Sequence, residues 1–267
     1  MQHALYVPPF ACFGDVHFLV DFACVAEEAG WDGVFLWDHI LYEDDVPFVD
    51  AWIAMAAIAA ATSRLRIGPL ITPLPRRRPQ VVAREAVTLD HLSHGRLTLG
   101  VGLGIDFWRE FGAFGEAAED DAARARLLDD GIEILRGLLS GEEFSYAGET
   151  ASVDRVRFLP KPVQQPSIPV WSAVTWLPAR EGPVRRAARL DGVMPFNPSG
   201  PMTPDIIREL RDRIAAVRGN DSFDICSHGP REQVAEFEAA GVTWFCDSLY
   251  WESRDDAMAD ARTGPPR

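Results

Sequence analysis

Gly33-Val34-Phe35-Leu36-Trp37-Asp38-His39 is the stretch on which the fold turns. A continuous apolar run of this length fits a strand buried on both faces, as in a parallel sheet layered with helices. An ionisable pair follows it without a break. Upstream, residues 18–29 place apolar side chains at helical spacing, and Gly30 supplies a C-terminal stop. Before that, residues 4–7 form a short β-like run ended by Pro8-Pro9. Downstream the beat repeats: helix 51–61, strand 65–71, helix 79–92 with proline in its first turn, strand 97–101, helix 122–139.

One interruption follows. Residues 144–146, a turn at Gly148-Glu149 and residues 152–158 read as a β-hairpin, inserted after the fourth helix over about 142–160 and closed by Pro160 and Pro162. Strands 168–172, 192–194, 222–226 and 243–246 then alternate with helices 184–190, 204–217, 231–240 and 255–261. Eight strand-then-helix units in 267 residues predict an α/β chain forming a single eight-fold β/α (TIM) barrel across 1–267. The rival, a doubly wound open sheet, lacks its glycine-rich fingerprint, since Val7 runs into Pro8-Pro9-Phe10.

Composition narrows the function. With 40 acidic against 26 basic residues and a net charge of −14, the chain is a poor match for nucleic acid, which needs a basic face. A hydrophobic content of 47% excludes intrinsic disorder. The longest apolar stretch, residues 53–61, is far short of the ~20 residues that span a bilayer, so no membrane partner is expected. Met1-Gln2-His3-Ala4 has no basic n-region, and Cys12, Cys24, Cys226 and Cys246 are scattered with no C-x-x-C pair. These features read as a cytoplasmic protein with buried thiols and no metal site.

In a barrel the chemistry sits in the loops that follow the strands. Asp38-His39 is the sharpest such feature, and two readings fit it. Either the carboxylate holds the imidazole and sets its charge, or Asp38 caps the next turn and His39 is a polar rim residue. Gly100, Gly102 and Gly104 strip side chains from the end of the fourth strand, for a ligand's approach or for close packing. Arg76-Arg77-Arg78 offers a phosphate or carboxylate a local field in an acidic protein, or is a solvated loop entering the third helix. Phe10, Trp108, Trp176 and Trp251 are candidates for an apolar pocket, or for core and interface.

Several segments together resemble the luciferase-like monooxygenase superfamily. They are Ala26-Glu27-Glu28-Ala29-Gly30-Trp31-Asp32-Gly33 with Trp37-Asp38-His39, then residues 57–68 continuing to Thr72-Pro73. The most specific is residues 83–96 leading to Leu99-Gly100-Val101-Gly102. Residues 144–159 resemble the family's hairpin insertion, and residues 185–193 and 264–267 also match. The resemblance implies an oxidoreductase transferring hydride between coenzyme F420 and a small organic substrate. A monooxygenase using flavin mononucleotide (FMN) and a cofactor-free barrel are the alternatives, and a homodimer is the common assembly.

By the same resemblance, Asp38 and His39 face the reaction centre, where they orient substrate and handle a proton. A cis peptide matches Pro69-Leu70, placing Leu70 behind the ring. Thr72, Gly102 and Gly104 line the cofactor, and Ser172, Ala173, Val174 and Thr175 lie near its phosphate. The chain departs from the pattern at three places. Ile105 stands where related dehydrogenases carry glutamate, with Asp106 or Glu110 as substitutes. Glu43 stands in place of a tryptophan, and Ala173-Val174 in place of Gly-Gly.

Overall fold

A computed structural model describes residues 1–42, 45–116, 120–177, 180–219, 221–247 and 251–266. Glu43 lies outside them. The strands are β1 (Gln2–Val7), β2 (Gly33–Leu36), β3 (Arg66–Pro69), β4 (Thr72–Pro73), β5 (Leu99–Gly102), β6 (Phe144–Ala147), β7 (Ser152–Val156), β8 (Val170–Thr175), β9 (Gly192–Phe196), β10 (Asp224–Ser227) and β11 (Trp244–Asp247). The helices are α1 (Val16–Ala29), α2 (Ala51–Ala61), α3 (Pro79–Leu92), α4 (Asp121–Leu139), α5 (Gly182–Ala187), α6 (Pro204–Arg218), α7 (Val234–Ala240) and α8 (Arg254–Thr263).

Nine strands form one parallel sheet in the order β3-β2-β1-β11-β10-β9-β8-β5-β4. Its two ends, β3 and β4, are successive pieces of one stave, and β5 pairs with β4 while Leu97 just before it bridges to Ile67 in β3. The sheet therefore closes on itself with eight staves. Inside it Ala4, Phe35, Leu70, Trp171, Met194, Cys226, Trp244 and Cys246 form a packed plug, and two larger apolar layers join barrel to helices. Short polar side chains cap α1, α2 and α6: Asp15 accepts from the His17 N–H, Asp50 from the Ile53 N–H, and Thr203 from the Ile206 N–H.

The expected continuous strand 65–71 is broken. Leu70 and Ile71 both pack toward the barrel plug, which a regular strand cannot do with consecutive side chains. The peptide between them is cis; the bond expected to be cis, Pro69–Leu70, is one residue too early. Gly100 makes room for the fold-over, since a Cβ there would lie 2.5 Å from Leu70 Cδ2 and 2.6 Å from the Pro69 carbonyl oxygen. The expectation of four buried thiols holds for Cys226 and Cys246, whereas Cys12 and Cys24 are half-buried. Among the described residues no helix is long and apolar enough to cross a membrane, and no group of side chains is set to hold a metal.

β6 and β7 form a separate antiparallel hairpin, tied to α4 through Asp130. That carboxylate accepts from the Tyr146 hydroxyl (2.7 Å), the Thr150 N–H (2.5 Å) and hydroxyl (2.7 Å), and the Ala151 N–H (3.1 Å). Burial raises the Asp130 carboxyl, but these donors outweigh it and hold it at about 2. Its hydrogen bond to Asp130, and then burial, push Tyr146 up to about 12. The depressed acid contributes stability above its ordinary value of 3.8, lost as pH falls through about 2. The raised phenol contributes below its ordinary 10, lost as pH rises through about 12. Amide protection across the hairpin, corrected for intrinsic exchange, is expected to hold between those limits and to fall beyond either; Tyr146→Phe should abolish the alkaline fall and, by removing one donor to Asp130, move the acid fall to higher pH.

Candidate active site

β2 ends at Leu36 and delivers Trp37, Asp38 and His39 to the C-terminal mouth of the barrel. Strand alternation carries past the strand end, sending adjacent side chains to opposite sides. Asp38 turns outward beneath α2 and is 3% exposed. Its Oδ2 accepts from Trp52 Nε1 (2.8 Å), the Thr72 hydroxyl (2.7 Å) and Arg77 Nη1 (3.0 Å). Arg76 Nη2 donates to its carbonyl (2.8 Å) and stands 3.6 Å from Oδ1. Asp38 is therefore neither a turn cap nor the partner of His39, because three donors from other elements already claim its carboxylate.

His39 turns the other way. Its Nδ1 lies 2.7 Å from Glu110 Oε2. Glu110 comes from the loop after β5, where Asp106 accepts from the Phe111 N–H (2.8 Å) and the Gly112 N–H (3.2 Å) and so folds the loop back. Of the two acids open as substitutes for the missing glutamate, Asp106 shapes the loop and Glu110 reaches the histidine. Glu110 Oε1 accepts from the Ile40 N–H (2.6 Å) and Arg76 Nη1 (2.7 Å). Burial raises this carboxyl, but the His39 bond and charge, the Ile40 N–H and Arg76 hold it below the usual carboxylate range. His39 Nε2 makes no hydrogen bond among the described residues.

Aromatic rings surround that imidazole. Trp108 meets it edge-on at 4.9 Å between centroids, and Trp37 lies at 5.9 Å. Tyr42 packs on Trp108 at 5.1 Å and stacks on Phe10 at 3.9 Å. Tyr42 thus links Phe10 and Trp108 at the mouth. Trp176 and Trp251 do not: the first is buried in the outer layer with Val174, and the second packs on Phe13 and Phe22.

The residues expected to hold a cofactor do not form one wall. Leu70 is fully buried in the barrel plug, and the Thr72 hydroxyl is spent on Asp38. Gly102 lies against Ile71 and Ala173, where a Cβ would come within 2.8 and 3.0 Å of them. Gly104 is a turn residue at φ +71°, facing Pro73 and Phe111 rather than a ligand. Ser172 is buried with its hydroxyl 3.2 Å from the Ala173 carbonyl, and Val174 points outward into the helix layer. Ala173 faces the barrel interior, half-buried, and Thr175 is exposed at the rim.

The arginine run divides too. Arg76 is consumed by Glu110 and Asp38, and Arg77 by Asp38 and by Glu85 (2.6 Å). Only Arg78, exposed ahead of α3, makes no ion pair among the described residues. Arg76 and Arg77 are thus internal braces, not a field for an anionic ligand. Trp52, which the sequence did not single out, completes the Asp38 cluster. An all-apolar helix carries no signal that its tryptophan N–H aims at a strand end.

Comparison with known proteins gives the arrangement a lineage. The model of the luciferase-like monooxygenase family matches residues 4–242. An uncharacterised protein of Mycobacterium tuberculosis is 30% identical over 222 residues, covering 76% of this chain and 72% of that one. An F420-dependent glucose-6-phosphate dehydrogenase of Nakamurella multipartita is 29% identical over 242 residues, covering 87% and 67%. Among solved structures, an F420-dependent secondary alcohol dehydrogenase superposes with a TM-score of 0.81 over 96% of both chains. Its 17% identity makes that a likeness of fold. The family model spans most of the chain, the relative shares its sequence along most of both lengths, and the chain belongs to the luciferase-like monooxygenase family.

Proposed function

We propose that this chain is an oxidoreductase that moves hydride between coenzyme F420 and a small organic substrate, with His39 as its proton-handling residue. The observation that carries this reading is the His39 Nδ1–Glu110 Oε2 contact of 2.7 Å, part-buried at the barrel mouth among Trp37, Tyr42 and Trp108. The F420-dependent relatives favour the deazaflavin over FMN. The ring portion fits an apolar floor, because Ile71 and Ala173 are both half-buried above the plug and Gly102 adds no side chain between them. For the phosphate portion, the exposed Thr175 at the β8 exit offers a hydroxyl.

The bound deazaflavin supplies the hydride acceptor or donor. The chain's own residues do the rest. The aromatic rings exclude water and hold the apolar part of the substrate. His39 Nε2 takes the proton of a substrate hydroxyl, or returns it in the reverse direction. Fluorescence titration with each cofactor tests the assignment: quenching by F420 with none by FMN is expected. Tight binding of FMN alone would replace this reading with the monooxygenase one, and binding of neither would leave a non-catalytic barrel.

The chain is further proposed to be a homodimer. Every residue of α2, AWIAMAAIAAA, is apolar, yet Ile53 is 69% exposed, and Val81 and Leu92 on the adjacent α3 are exposed as well. A helix apolar on every side belongs in an interior, so a second copy is the natural cover. Light scattering should give twice the chain mass for the native protein and the chain mass for Ile53→Glu. An unchanged dimer in that variant would move the interface elsewhere.

A further inference from the structure

The buried acid–base chain behind His39 has a direction built into it. Glu110 presents its two oxygens to different kinds of partner. Oε1 is held by two groups that can only donate, the Ile40 N–H and the Arg76 guanidinium. Oε2 is left for His39 Nδ1, a nitrogen that either donates or accepts. Arg76 is itself enclosed, its side chain 4% exposed, and it is anchored a second time on the Asp38 carbonyl. The guanidinium cannot lose its proton, so the charge beside Glu110 is permanent.

We infer that Arg76 is a positioning residue, which fixes the tautomer of His39 through Glu110. With Arg76 in place Glu110 is a carboxylate, and a carboxylate accepts only. In the neutral ring its Oε2 therefore requires the proton to sit on His39 Nδ1, which leaves the lone pair on Nε2, the nitrogen that meets substrate. Were Glu110 neutral, both donors on Oε1 would force the carboxyl hydrogen onto Oε2. It would then donate to Nδ1, and the proton of the ring would move to Nε2. Without Arg76 a second route ends the same way: the buried carboxylate draws a second proton onto the imidazole. Either route turns Nε2 from acceptor into donor.

This assignment rests on His39 being the proton-handling residue, but its test does not depend on turnover. Nitrogen-15 spectra of the histidine-labelled, cofactor-free protein at neutral pH should show His39 with Nδ1 protonated and Nε2 bare. Glu110→Gln is the decisive variant. The two donors on Oε1 oblige the amide oxygen to take that position, so the NH2 faces Nδ1 and the proton appears on Nε2. Arg76→Met should also protonate Nε2, and Arg76→Lys should restore the native signature. If Arg76→Met fails to fold, the nearly isosteric Glu110→Gln still decides.

A bare Nε2 in Glu110→Gln, or in folded Arg76→Met, would overturn the inference and reduce Arg76 to a structural brace. Activity separates this outcome from failure of the wider reading. Should His39→Ala prove fully active with F420, the proton role fails whatever the spectra show. Should the tautomer switch while His39→Ala is inactive, both assignments stand. In that case Glu110→Gln should lose kcat with KM and cofactor quenching unmoved.

Discussion

Asp38→Ala is expected to destabilise the folded protein by about 3–5 kcal/mol, the usual consequence of removing one partner from a buried ion pair. The carboxylate is almost fully enclosed, and its Oδ2 alone satisfies Trp52 Nε1, the Thr72 hydroxyl and Arg77 Nη1. Truncation orphans two buried donors and leaves Arg77 with Glu85 as its remaining acid. Asp38→Asn should be milder. An amide oxygen in the Oδ2 position still accepts all three donors, although the NH2 then faces Arg76 Nη2, now 3.6 Å from Oδ1. Denaturant unfolding reads the difference. Each variant that folds should keep its turnover per molecule. A stable Asp38→Asn protein that has lost kcat would instead return Asp38 to the reaction centre.

The contrast between Asp38 and His39 shows how far the sequence could be read. The location of the pair was legible, because an uninterrupted apolar run must end at a barrel mouth. Its internal pairing was not, although the period-two rule already separates adjacent side chains onto opposite faces. Helices 51–61 and 79–92 matched α2 and α3 end to end. One is apolar throughout and begins after a capping aspartate; the other starts on proline. The break at Leu70–Ile71 was expected only through the resemblance, and one bond too early; periodicity could not show it, because two apolar neighbours look the same whether they alternate or not.

Long-range partners were the larger loss. Nothing near position 39 names Glu110, which arrives only because Asp106 ties back the loop after β5. Arg76 and Arg77 stood out as cations in an acidic chain and suggested an external anion. The anions they serve are Asp38, Glu110 and Glu85, brought to them by closure of the barrel. A charge run near a mouth is thus ambiguous until the buried carboxylates around it are known. Ala173-Val174 was a smaller case of the same kind. Alternation along β8 sends Val174 into the helix layer, so one methyl rather than two side chains faces the interior.

His39→Ala should behave in the opposite way to Asp38→Ala. The ring is partly exposed, and Glu110 keeps Arg76 and the Ile40 N–H after its loss, so no buried charge is stranded. Its removal is therefore expected to leave denaturant stability within about 1 kcal/mol of the native protein. Turnover with F420 should fall ~10²–10⁴-fold, the range for losing a general acid or base. Cofactor quenching should persist, because the apolar floor of Ile71 and Ala173 is untouched. His39→Gln sharpens the test. It retains a polar group at the mouth but no titratable nitrogen, so it should stay as slow as the alanine variant. Recovery of turnover in His39→Gln would mean that the imidazole only orients substrate by hydrogen bonding. Proton transfer would then pass to another group or to water, and Glu110 would serve to hold an orienting ring rather than to supply a base.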